Sequence, residues 1–185
     1  IIPATHEDLA EYLIYDDEER DTWEVIIVLP RVKIIPEDTF IGCENVETVI
    51  MADSVERIED GAFYCCESLT FVRLSRNLEY IGYWAFENCT VLTSIFIPPS
   101  CTEIRNYAFD ICPNLIILSV PQHTQLGRMA FGRTALFEAS PFEKDEFYEK
   151  NADEVNEWIK SINQNEDFAL HRECASIETS KENIY

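Results

Sequence analysis

The chain has 185 residues, 46% of them apolar, with only 5 glycines and 8 prolines, so it can fill a core and is not low-complexity. Its 35 acids against 14 bases give a net charge of −21, which disfavours nucleic acid, whose phosphates need a basic stripe, and anionic membrane surfaces. The longest apolar run, Val25-Ile-Ile-Val-Leu29, is too short to cross a bilayer, so no membrane insertion is expected.

The chain does not open on Met and carries no basic-then-apolar leader, so it reads as a fragment or a processed product. Residues 1–22 read as an N-terminal helix and acidic cap. Thr5-His-Glu-Asp8 fits a helix-capping signature, and Leu9, Leu13 and Ile14 give one apolar face. A helix is expected at 6–14, followed by an acidic loop at 16–21. It would cover the sheet edge that begins near Trp23, since an open edge needs a cover. Residues 1–23 hold 8 acids against 1 base and residues 138–185 hold 13 against 5, so 15 of the 21 net charges sit on the flanks. Such flanks serve solubility and permit a basic protein partner.

Residues 23–137 are periodic. Phe40, Phe63, Phe86 and Phe109 are spaced by 23, and Phe131 follows 22 residues later. Five residues before each Phe stands Ile35, Ile58, Ile81, Ile104 or Leu126. One before it is a small residue: Thr39, Ala62, Ala85, Ala108 or Ala130. Three after it come Cys43, Cys66, Cys89, Cys112 and finally Thr134, and six after it Val46, Leu69, Leu92, Leu115 and Phe137. Each copy then shows a strand pattern whose last two apolar residues are two apart: Ile26/Val28, Val49/Met51, Val72/Leu74, Ile95/Ile97 and Leu118/Val120. One such unit cannot bury its apolar face, but stacked units can. The cysteines become small apolar plugs, one rung apart, with parallel side chains that do not face one another for disulfides. Buried, reduced thiols point to an intracellular, cytoplasmic location.

These copies resemble leucine-rich repeats of the bacterial surface antigen (BspA-like) type, whose unit runs strand, short turn, then Ile-Gly-x-x-Ala-Phe-x-x-Cys. Ile97-Pro-Pro-Ser-Cys-Thr-Glu-Ile104 and Ile81-Gly-Tyr-Trp-Ala-Phe-Glu-Asn-Cys89 carry the resemblance. It implies an α/β repeat fold: a right-handed solenoid of about five units of 22–23 residues, with a concave parallel sheet and short helical turns opposite. It also implies a protein-recognition surface rather than an enzyme. The first unit departs from the pattern with Ile35-Pro-Glu-Asp-Thr-Phe40, and the fifth loses its Cys. Atypical end units are common in solenoids because they act as caps.

Residues 138–185 read as a helical acidic flank. Ser140-Pro-Phe-Glu143 and Asn151-Ala-Asp-Glu154 are helix starts, and Val155, Trp158, Ile159 and Ile162 share a face. Helices are expected at 141–150 and 152–163, docked on the last rung or offered to a partner. Asp167-Phe-Ala-Leu-His-Arg-Glu-Cys-Ala175 resembles the opening of an ankyrin-type repeat, a combination similar to predicted proteins of diatoms and related algae.

Catalytic chemistry finds little footing. His6, His123 and His171 are scattered, the cysteines lack zinc spacing, and no Gly-rich phosphate loop or Gly-x-Ser-x-Gly elbow occurs. Cys65, beside the column residue Cys66, has no basic neighbour in sequence to activate it, so no enzyme, cofactor or metal is expected. Asn88-Cys89-Thr90 is a glycosylation sequon, and its use would make the protein extracellular. The side chains between the inward strand positions should point out of the concave face: Ile27, Ile50, Arg73, Phe96 and Ser119, beside Val25, Thr48, Phe71, Ser94 and Ile117. A solvated face would be polar, whereas Ile27, Ile50, Phe71, Arg73 and Phe96 form an apolar patch with an arginine in it, as interaction sites do. A non-enzymatic protein-binding module using this face is the expectation. The alternatives are coverage of the face by a flank or a second copy, and a structural subunit held by its acidic flanks and end caps.

Overall fold

The computed structural model describes residues 2–4, 22–138 and 152–162. Each repeat contributes a long strand, a short strand and a turn segment, so the stack has three sides. The long strands are β1 (Ile2–Ala4), β2 (Val25–Val28), β4 (Thr48–Met51), β6 (Phe71–Arg73), β8 (Ser94–Phe96) and β10 (Ile117–Ser119). The short strands are β3 (Ile34–Ile35), β5 (Arg57–Ile58), β7 (Tyr80–Ile81), β9 (Glu103–Ile104) and β11 (Gln125–Leu126). All pairings are parallel. The long strands form one sheet in the order β1-β2-β4-β6 and a second pair β8-β10, while the short strands form a continuous ladder from β3 to β11.

Sequence sets this register. Ile26 lies opposite Val49 and Val49 opposite Val72, so each inward residue meets its own kind one rung away. The inward strand residues are buried, and so are Phe40, Phe63, Phe86, Phe109, Phe131, Cys43, Cys66, Cys89 and Cys112. A second inward column, Val32, Val55, Leu78, Cys101 and Thr124, completes the core and escapes the Phe-centred reading. The phenylalanines stack face to face, at 5.2, 5.0, 5.1 and 5.0 Å between ring centres.

Opposite the long strands the chain makes hydrogen-bonded turns. The Phe40 N–H donates to the Ala62 carbonyl at 2.8 Å, and the same bond recurs from Phe63 to Ala85, Phe86 to Ala108 and Phe109 to Ala130. Two residues to either side of each Phe, the backbone adopts positive φ. One column is Asp38, Gly61, Trp84, Tyr107 and Met129; the other is Gly42, Cys65, Asn88, Ile111 and Arg133. Only some of these residues favour the left-handed region, so the inter-rung bonds impose it on the rest.

The ends are closed by sequence outside the repeat pattern. Ile2–Ala4, which precede the helix expected at 6–14, pair with β2 as an extra rung. Its Pro3 is tolerable at a sheet edge. The helix expected at 6–14, the loop at 16–21, the helix at 141–150 and the segment 167–175 lie outside the described residues. At the other end, α1 (Ala135–Glu138) follows the last turn, and the Leu136 N–H donates to the Leu115 carbonyl at 3.3 Å. The helix expected at 152–163 is present as α2 (Ala152–Ile162). Its Ile159 is buried and Trp158 packs against the same core, while Gln122 Nε2 donates to the Lys160 carbonyl at 3.0 Å.

Candidate functional site

The outer face of the long-strand sheet is built by strand alternation: in β2 and β4 every second residue is buried and the residues between face outward. Register aligns Ile27 with Ile50 and Ile50 with Arg73, and in the second column Val25 with Thr48 and Thr48 with Phe71. Ile27, Ile50, Arg73 and Phe96 are half-buried, and Phe71 is 43% exposed. Ile27, Ile50, Phe71 and Arg73 thus share one hydrogen-bonded sheet. Phe96 belongs to the next one, across the break between β6 and β8, where it lies opposite Ser119.

Arg73 is held by its own chain. Its Nη1 donates to the Met51 carbonyl at 3.1 Å, and its Nη2 lies 3.9 Å from Asp53 Oδ1. The guanidinium is therefore fixed beside the apolar column with part of its edge already engaged.

The cysteine column has a defined role. The Cys66 thiol donates to the Phe40 carbonyl at 3.2 Å, Cys89 to Phe63 at 3.5 Å and Cys112 to Phe86 at 3.3 Å. Each thiol fills a small apolar space and ties its rung to the previous one. None of the six cysteines among the described residues is in a disulfide. Burial pushes the Cys101 and Cys112 thiols up to about 12 and raises those of Cys66 and Cys89 as well. Neutral, enclosed thiols are poor nucleophiles. Cys65 is half-buried, and its sulfur accepts from Asn88 Nδ2 at 3.4 Å. His123 is exposed, and among the described residues no group of His, Cys, Asp or Glu is placed to hold a metal. No described helix is long and apolar enough to cross a membrane.

Sequence reading followed the strand columns and missed a feature of the turn side. A groove of about 460 Å³ opens there across the first three repeats, with Ile41, Tyr64 and Trp84 among its walls and carboxylates around it. Trp84 is 46% exposed. The residues three and two before each Phe run Glu37-Asp38, Asp60-Gly61 and Tyr83-Trp84, passing from acids to aromatics over three repeats, but that sequence does not show that they share a groove.

Parallel short strands, a stacked phenylalanine column and inter-rung turns define a leucine-rich-repeat solenoid. The chain belongs to the BspA-type leucine-rich repeat family, whose repeat region matches residues 33–144 in six copies. That span begins and ends later than the 23–137 read from the Phe period. Leucine-rich repeats of this kind are generally protein-interaction modules and typically not enzymes. Among solved structures, a leucine rich cell surface protein from Faecalibacterium prausnitzii is 29% identical with a TM-score of 0.57, over 60% of this chain and 29% of that one. A leucine-rich repeat protein from Bacteroides ovatus is 27% identical with a TM-score of 0.48, over 61% of this chain and 30% of that one. The chain therefore spans under a third of the length of either. The curated proteins include no match.

Proposed function

We propose that the protein is a non-enzymatic recognition module that binds a protein partner through the outer face of its long-strand sheet, with Ile27, Ile50, Phe71, Arg73 and Phe96 as the contact residues. The observation that carries this reading is the alignment of Ile27, Ile50 and Arg73 in one strand-paired column beside the exposed Phe71. Apolar side chains on a rigid sheet, with a pre-positioned arginine among them, offer area with little ordering cost on binding.

The test is affinity capture from a lysate of the source organism with the chain as bait and a Phe96→Arg/Ile50→Arg variant beside it. Circular dichroism first establishes that the variant is folded. A protein lost only with the variant is the expected result. Identical captured sets from both baits would refute the sheet-face reading and favour a structural subunit held through its acidic flanks and end caps.

We further propose a reducing, intracellular location, supported by buried thiols that form no disulfide among the described residues. Asn88 of the sequon is half-buried and its Nδ2 donates to Glu67 Oε1 at 2.9 Å, an arrangement that a glycan on that nitrogen would have to break. A glycosidase-sensitive mass at Asn88 in the native protein would overturn this.

A further inference from the structure

The groove on the turn side has a structural origin in one column. Asp38, Gly61 and Trp84 occupy equivalent positions in three successive rungs, so at this position the middle rung has no side chain. Gly61 adopts φ +62° at no steric cost, and the Asp38 carboxylate occupies the space beside it: a Cβ on Gly61 would fall 2.1 Å from Asp38 Oδ1. With no side chain at 61, the groove opens between the Asp38 carboxylate and the Trp84 indole.

The gap is lined by two kinds of surface. Ile41, Tyr64 and Trp84 supply apolar walls, with Ile41 at 39% and Trp84 at 46% exposure. Glu37, Asp38, Asp60 and Glu87 supply carboxylates, and no base is among the lining residues. Among the described residues no Lys or Arg pairs with Glu37, Asp38 or Asp60, and the nearest compensation is Arg133, 4.0 Å from Glu87. Among the described residues, the cations placed over aromatic rings lie on Tyr80 and Tyr83, not on Trp84 or Tyr64.

An exposed indole beside uncompensated carboxylates selects for a cation with a flat face. Phosphates and acidic peptides are repelled, whereas a guanidinium can stack on the indole while its edge donates to carboxylates. We propose that this groove takes an arginine-bearing basic segment of a protein partner, with the guanidinium over Trp84. This surface is separate from the outer sheet face, and a Phe96→Arg/Ile50→Arg variant leaves it intact.

The probe is an acetylated Gly-Arg-Gly-Arg-Gly amide, titrated into the full chain carrying 5-fluorotryptophan. The three fluorine resonances, of Trp23, Trp84 and Trp158, are assigned by single Trp→Phe changes. The Trp84 signal should shift saturably while the other two stay in place. Calorimetry should show binding about two- to fivefold weaker for Trp84→Ala, the worth of an exposed cation–ring contact. An Asp38→Asn/Asp60→Asn variant should bind roughly tenfold more weakly through loss of two exposed charge pairs. Asn tolerates the left-handed backbone at 38 and still accepts the Tyr83 N–H at 60, so this variant keeps the fold. The proposal is overturned if Trp84 does not move, if the Gln analogue of the peptide moves it equally, or if all three signals shift together as for diffuse binding to a polyanion.

Discussion

If the phenylalanine stack is a source of stability beyond burial, neighbouring rings should be energetically coupled and rings two rungs apart should not. Phe86 lies 5.0 Å from Phe63 at an interplanar angle of 8°, and 5.1 Å from Phe109 at 3°. All three are fully enclosed, so burial does not distinguish them. Phe→Leu keeps most of the volume and removes the ring contacts, each worth about 0.5–1.5 kcal/mol beyond area burial. Phe86→Leu loses two contacts and should cost about 1–3 kcal/mol. Urea unfolding followed by circular dichroism measures each variant. Phe63→Leu/Phe86→Leu should be less destabilising than the sum of its single changes by about 0.5–1.5 kcal/mol, because the shared contact is lost only once. Phe63→Leu/Phe109→Leu, whose rings each touch Phe86 but not one another, should be additive within about 0.5 kcal/mol. Equal coupling in both pairs would refute ring stacking as its source and assign it to general cooperativity between repeats.

The buried thiols predict alkaline destabilisation. Their folded values are raised above the ordinary 9.0 by burial, to about 12 at Cys101 and Cys112. Their contribution is fully present below pH 9, and is lost between about pH 9 and 12 as the unfolded chain gives up protons that the folded one keeps, at about 1.4 kcal/mol per pH unit per thiol. Denaturant titrations from pH 8 to 10.5 should show a slope shallower by one thiol in Cys112→Ser, and an unchanged slope would count against the assignment. A second change should stabilise the protein. Ile111 is β-branched at φ 50°, where equivalent rungs hold Gly42 and Asn88. Ile111→Asn should relieve about 1 kcal/mol of backbone strain and raise the Tm by about 2–4 °C. A lowered melting temperature would show that the side chain's partial burial outweighs the strain.

The inward columns were legible in the sequence because a 23-residue period repeats the same residue types at Phe40, Phe63 and Phe86, and stacking demands that equivalent positions pack on one another. The outer sheet columns followed from alternation alone. The short-strand ladder was not legible as strand, since two residues such as Ile34–Ile35 carry no period. Nor was β1, where three residues including Pro3 make a rung only because β2 offers an edge. The turn side hid most. Gly61 and Asn88 favour a left-handed backbone, but Trp84, Ile111 and Met129 do not, and they adopt it because the neighbouring rungs dictate the hydrogen bonds. The groove depends on that geometry and on a single missing side chain at Gly61, which no residue pattern announces.

The turn side has an electrical direction of its own, opposite to that of the bonds beside the strands, where the N–H groups of Glu47 and Glu56 donate back to Glu24 and Lys33. The N–H groups of Asp38, Phe40 and Gly42 all donate to the second repeat, those of Gly61, Phe63 and Cys65 to the third, and those of Trp84, Phe86 and Asn88 to the fourth. Each peptide unit carries a dipole of about 3.5 D, and when aligned these add as they do along a helix, though here the positive pole falls at the C-terminal end. The negative pole lies at the carbonyls of the first repeat, beside Glu37 and Asp38. On the turn side the backbone therefore deepens the negative potential in the part of the surface where the carboxylates already gather.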